Sequence, residues 1–139
     1  MRIGGFCRAA AALGAAMFLG SPAPTQERTR IPLLSRIESG LWELRSPSNA
    51  LVASICVGDR ILLTQPQHGD SPCTRLVISA DTRSATVHYT CPAAGFGRTT
   101  IRVETPRLVQ IHSQGIYRNA PFGLQAEARR IGPCRPARS

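Results

Sequence analysis

The side chains of this 139-residue chain best suited to hold a metal or form a cross-link are three histidines, His68, His88 and His112, and five cysteines, Cys7, Cys56, Cys73, Cys91 and Cys134. Three imidazoles can bind zinc and leave a fourth position open for water, the arrangement of a metal-assisted hydrolase. Nothing in their spacing requires them to converge. His68 falls in a polar loop, and His88 and His112 fall on two different strand-like stretches, so the sequence assigns no metal ligand and no cofactor. The cysteines contain no Cys-x-x-Cys, which argues against a four-thiolate zinc site. There is no Gly-x-Ser-x-Gly elbow and no carboxylate pair at acid–base spacing. Gly95-Phe96-Gly97-Arg98 lacks the strand-to-helix switch of a phosphate cradle. No catalytic residue is assigned, and the chemistry left to the cysteines is cross-linking.

Their pairing depends on the compartment. Arg2 and Arg8 precede an apolar run from Ala9 to Leu19, followed by Gly20-Ser21-Pro22-Ala23, the layout of a secretory signal peptide. That run is short for a bilayer span. Residues 1–23 are read as a removed signal, with Pro24 leaving the cleavage position open, and the mature protein as periplasmic or secreted without a stable membrane span. A buried Ala-rich helix is the other use of the same residues. Cys7 leaves with the signal, and Cys56, Cys73, Cys91 and Cys134 form an even set in a small exported chain, which predicts two disulfides. Every basic residue is arginine, and without Arg2 and Arg8 fifteen arginines stand against eight acidic residues. Such a charge favours anionic partners such as lipid headgroups or polysaccharides. A nucleic-acid surface needs several aromatics among the arginines. Only Tyr89 and Phe96 lie near Arg75, Arg98 and Arg102, so no nucleic-acid partner is expected.

The elements that position these residues read as short strands. Residues 24–39 form a linker that docks at Ile31 to Leu34. GLWEL (40–44) and ALVASICV (50–57) are strands joined by the turn residues Arg45 to Asn49. Asp59 is placed to cap a short helix over Arg60 to Gln65, which Pro66 ends. In CTRLVISADTRSATVHYTC, a three-residue loop Asp81-Thr82-Arg83 sets Val77 opposite Val87, Arg75 opposite Tyr89 and Cys73 opposite Cys91. A five-residue loop keeps that register, whereas a two-residue loop sends the sulfurs to opposite faces. Cys56 is then left for Cys134. Around Thr105-Pro106-Arg107 the same logic sets Val103 opposite Val109 and Ile101 opposite Ile111, and the last strand, PFGLQAEARRI, alternates with Phe122, Leu124, Ala126 and Ala128 on one side.

The fold expected is mainly β: an antiparallel meander sheet of about seven strands, curled or forming a partly closed barrel, with one short helix and two disulfides, spanning residues 40–134 before a tail of residues 135–139. Ile101, Val103, Val109, Ile111 and Leu124 form an apolar layer. Ile61, Leu62 and Leu63 follow one another, so at most two can face it well. The uncovered part is the candidate ligand-facing surface.

Gly40-Leu41-Trp42-Glu43, Cys56 followed by a short helix, Cys73, His88-Tyr89-Thr90-Cys91 and the ending Arg130-Ile131-Gly132-Pro133-Cys134 resemble, in that order, the exported bacterial family known as domain of unknown function 3617. The likeness covers residues 40–134. It implies a periplasmic β-rich domain with cysteines of the kind that family carries and no assigned activity, so no catalytic residue carries over. The functional expectation is a non-catalytic envelope protein that binds a small apolar or anionic ligand or an envelope protein partner. The alternative is a metal-assisted hydrolase using His88 and His112. Mass spectrometry of protein from a periplasmic extract is expected to show a chain starting near residue 24, and an intact Met1 to Ala23 segment overturns the export reading.

Overall fold

Period-two alternation of apolar and polar residues yields seven strands in the computed structural model, which describes residues 30–135. They are β1 (Gly40–Arg45), β2 (Leu51–Val57), β3 (Thr74–Ala80), β4 (Ser84–Cys91), β5 (Gly95–Thr105), β6 (Leu108–Tyr117) and β7 (Ala120–Gly132). The segment expected as a signal, Cys7 and most of the expected tail lie outside the described residues. All seven strands join one antiparallel sheet in the order β2-β1-β7-β6-β5-β4-β3. From β3 to β7 this is the expected meander. The correction comes at β1, which pairs with β7 as well as with β2. Trp42 and Leu44 on β1 are buried, whereas β2 buries only Val57, so the more apolar strand takes an interior place and the more exposed one becomes an edge.

The two edges, β2 and β3, are not paired, so the sheet does not close into a barrel. Laid flat, seven strands span about 29 Å at about 4.8 Å per spacing. Val57 on β2, Val87 on β4 and Ile111 on β6 belong to a single core cluster with Leu33, Ile37 and Leu63, which fits a sheet curled around those side chains. Two 3-10 helical turns fill the curl. The expected short helix is one of them, Arg60–Thr64, capped by the Asp59 carboxylate accepting from Ile61 N–H at 3.0 Å. The other, Pro32–Arg36, arises in the segment expected as a linker. It buries Leu33, and Ile37 follows it into the core beside Leu63 of the Arg60–Thr64 turn. Arg60 ties the two segments together by donating from Nε to the Ile37 carbonyl at 2.7 Å.

Both apolar hairpins reach their register by one device. In the first, Val77 faces Val87 and Arg75 faces Tyr89, then the register slips so that Ala80 faces Ala85. Asp81 N–H donates to the Ser84 carbonyl at 2.9 Å, leaving Thr82 and Arg83 as the tip. A two-residue tip is therefore compatible with paired cysteines after all: the irregularity between Val77 and Ser79 adds one residue to β3 and restores the face. The Asp81 carboxylate accepts from Arg83 and Ser84 N–H at 2.7 and 2.8 Å, which holds its pKa below the usual carboxylate value. In the second, Val103 faces Val109 and Thr105 faces Leu108, with a slip between Val103 and Thr105. The β6–β7 turn places Arg118 and Asn119 at φ 48° and 65°, the left-handed pair that a tight hairpin tip demands.

Cys73 bonds Cys91 with Cα atoms 4.1 Å apart, and Cys56 bonds Cys134 with Cα atoms 5.4 Å apart. The first staples the β3 edge to β4. The second reaches past β1, tying the β2 edge to the segment that leaves β7. Replacing Cys73 and Cys91 together by Ser is expected to lower unfolding stability by about 2–5 kcal/mol. A denaturant midpoint that does not move contradicts that role for the bond.

Candidate functional site

The segment between β2 and β3 carries the least expected residue of the fold. His68 is only 4% exposed, not a solvated loop side chain. It arrives there because the chain turns tightly after the Arg60–Thr64 turn: His68 N–H donates to the Gln65 carbonyl at 3.0 Å, and Gln65 Nε2 donates to the Gly69 and Ser71 carbonyls at 2.6 and 3.0 Å. Arg75 on β3 holds the other end of that amide, donating from Nη2 to Gln65 Oε1. The His68 ring lies edge-on to Tyr89, Tyr117 and Phe122, with centroids 5.1, 5.1 and 5.8 Å away.

His68 Nε2 lies 3.2 Å from the Ala94 carbonyl and Nδ1 lies 3.1 Å from Tyr89 Oη. A carbonyl can only accept, so in the neutral ring Nε2 carries the proton and Nδ1 accepts from the Tyr89 hydroxyl. The hydroxyls of Thr99 and Ser113 lie 2.8 Å apart on the neighbouring strands. Burial pushes the Tyr89 phenol pKa up, and the nearby Ser113 and Thr99 hydroxyls oppose that shift. Glycine is required opposite this ring, because a Cβ at Gly97 would stand 2.3 Å from Tyr89 Oη. Each ring nitrogen and hydroxyl of the string has a partner. It is therefore a structural pin between the β2–β3 segment and the sheet, with no unpartnered nucleophile.

The outer face offers open chemistry. Cross-strand pairing lines up Leu76, His88, Arg98, Gln114 and Gly123 in one row from β3 to β7. The neighbouring row holds Thr86, Thr100, His112 and Gln125, with Thr86 and Thr100 hydroxyls 3.0 Å apart. Between the two rows lies a depression of about 460 Å³, lined by Arg98, Thr100, His112, Gln114, Gly123 and Gln125 among others. Gly123 keeps its floor open, since a Cβ there would meet nothing within 4 Å. No Asp or Glu lines it. Arg45, Arg102, Arg107, Arg129 and Arg130 all lie within ion-pair distance of a glutamate. Exposed Arg98 forms no ion pair among the described residues.

The structure separates the residues expected to act together in a metal site. His88 and His112 share the outer face but sit on β4 and β6 with β5 between them, and Arg98 lies directly across from His88. Among the described residues no group of three or more His, Cys, Asp or Glu is placed to hold a metal ion. The apolar layer lies on the other face. Ile101, Val103, Val109 and Ile111 are buried in the same cluster as Leu33, Ile37 and Leu63, and Leu124 packs against it partly buried. The concavity above the layer is thus occupied by the chain's own side chains. Comparison with protein-family models, curated proteins and solved structures finds no match to this chain.

The buried string yields a test. The folded state holds the Tyr89 proton more tightly than the unfolded chain, so this stabilisation is complete below the ordinary tyrosine range near pH 10 and is lost as pH rises through the folded pKa. Tyr89→Phe strands His68 Nδ1 and is expected to cost about 1–3 kcal/mol at neutral pH. It should also flatten the alkaline loss of stability, read by denaturant unfolding across pH 8 to 11. An unchanged alkaline slope removes Tyr89 as its source.

Proposed function

We propose that this is an exported, non-catalytic binding protein whose ligand site is the outer-face depression over β5 to β7, and that the ligand carries an anionic group. The observation that carries this reading is Arg98: an exposed guanidinium without an ion-pair partner among the described residues, at a depression lined by no acidic side chain. A guanidinium offers a planar fork of donors that matches carboxylate or phosphate oxygens two at a time. Thr100, His112, Gln114 and Gln125 surround it with further hydrogen-bonding groups. These groups support the anionic arm of the functional expectation. A ligand resting on Ile101, Val103, Val109 and Ile111 would first have to displace Leu33, Ile37 and Leu63.

Glycerol phosphate is a suitable soluble probe. Its addition is expected to shift the NMR ring signals of His112 and His88, which flank Arg98. Arg98→Ala should weaken binding about tenfold or more, as expected for a charge-assisted hydrogen bond worth about 1.5–3 kcal/mol. Gly123→Gln should block the depression without disturbing the fold, because the space beyond Gly123 is open. Wild-type protein whose histidine signals do not respond, or an Arg98→Ala variant that binds equally well, overturns the assignment.

A further inference from the structure

Large apolar side chains crowd one end of the same outer face. Leu76 is 62% exposed and Phe96 44%. Leu76 pairs with His88, the His88 ring lies 6.1 Å from the Phe96 ring, and Phe96 pairs with Ile116, so these residues form one continuous patch over β3 to β6. A second depression of about 420 Å³ lies here, lined by Phe96, Ile116, His88, Arg98 and Gln114 among others and by no acidic residue. It shares Arg98 and Gln114 with the first. A lone cation thus sits where an apolar patch meets a polar trough.

We infer that this face docks on an anionic lipid bilayer, with Leu76 and Phe96 entering the headgroup layer and Arg98 taking a lipid phosphate. The inference rests on the anion site proposed above. Charge complementarity selects the occupant: the chain without residues 1–23 carries fifteen arginines against eight acidic residues, and neither of the two depressions that hold Arg98 has an acidic lining residue. Shape selects it too. The core fills the inner side of the curl, so the patch stands on the outward side, where exposed side chains project and cannot wrap a soluble acyl chain. A bilayer surface needs no wrapping, because apolar side chains dip into it while cations beside them stay at phosphate level. Among the described residues no helix is long and apolar enough to cross a membrane, and the contact inferred is a surface one.

The test is co-sedimentation with vesicles of phosphatidylcholine, with and without phosphatidylglycerol, in parallel with glycerol phosphate titration. Wild-type protein should sediment with the anionic vesicles only. Leu76→Ser combined with Phe96→Ser leaves the charge unchanged and should weaken vesicle binding about fivefold or more, a factor equivalent to about 1 kcal/mol, while glycerol phosphate still binds. Arg98→Ala should weaken both. Arg107→Gln, a charge removed at the far hairpin tip, should change neither appreciably. If the serine pair fails to fold, Phe96→Trp supplies the readout, with fluorescence expected to shift to the blue on anionic vesicles. Wild-type protein that binds glycerol phosphate but no vesicle overturns the bilayer inference and leaves the anion site standing, with a soluble anion as occupant. Protein that binds neither overturns both. A serine pair that binds vesicles like the wild type, or a Phe96→Trp signal that does not move, also refutes docking through this patch.

Discussion

An open sheet of seven strands has one face to bury and two unpaired edges, and much of this molecule follows from that constraint. Burial of the inner face stabilises the fold only if something covers it, because a single curled sheet has no second sheet to pack against. The chain supplies the cover from its own connections. Leu33 and Ile37 come from the segment before β1, and Leu63 from the segment that runs between the two edge strands. The latter segment also delivers His68 into the sheet, where the Tyr89 hydroxyl and the Ala94 carbonyl fix it. The edges thus stay unpaired while the core is enclosed.

The same constraint explains which parts of the fold were legible from the residues alone. Hairpin registers could be read because alternation has a period of two, and Val77 opposite Val87 or Val103 opposite Val109 is the solution that puts like with like. The tips were harder. A three-residue loop, and a two-residue tip followed by a one-residue irregularity, leave the same pairs below them, so residue parity cannot distinguish the two. The pairing of β1 with β7 was not legible either, since nothing local to Trp42 names a partner more than eighty residues away. His68 was hidden for a related reason. The rings that enclose it come from β4, β6 and β7, and its own neighbours, Gln67 and Gly69, read as a polar loop. In retrospect the available signal was Gly97 opposite Tyr89, a strand glycine making room for a ring that has to turn inward.

The division of labour between the two faces bears on function. Inside, the hydroxyl and imidazole groups of the buried string satisfy one another, which rigidifies the fold. Outside, Arg98 is one of several exposed arginines with no ion pair among the described residues, and the one that lines a depression without acidic side chains. The apolar layer read from the sequence is present, but it serves the core, because the segment expected as a linker contributes Leu33 and Ile37 to it. Polar-face residues that look unremarkable in sequence become the better candidates once the inner face is full.

The Cys56–Cys134 bond has a mechanical consequence. Tension applied at Gly40 and Arg135 would follow the backbone through β1 and β2 to Cys56, cross the sulfur bridge and leave through Cys134. The whole stretch between those cysteines, which contains β3 to β7, would be a slack loop bearing no load. Only β1 and β2 would be peeled apart, and the force-bearing seam would be the ladder between them, opened from its Gly40–Val57 end. The core of the sheet is thereby insulated from traction on its ends for as long as that one covalent bridge is intact.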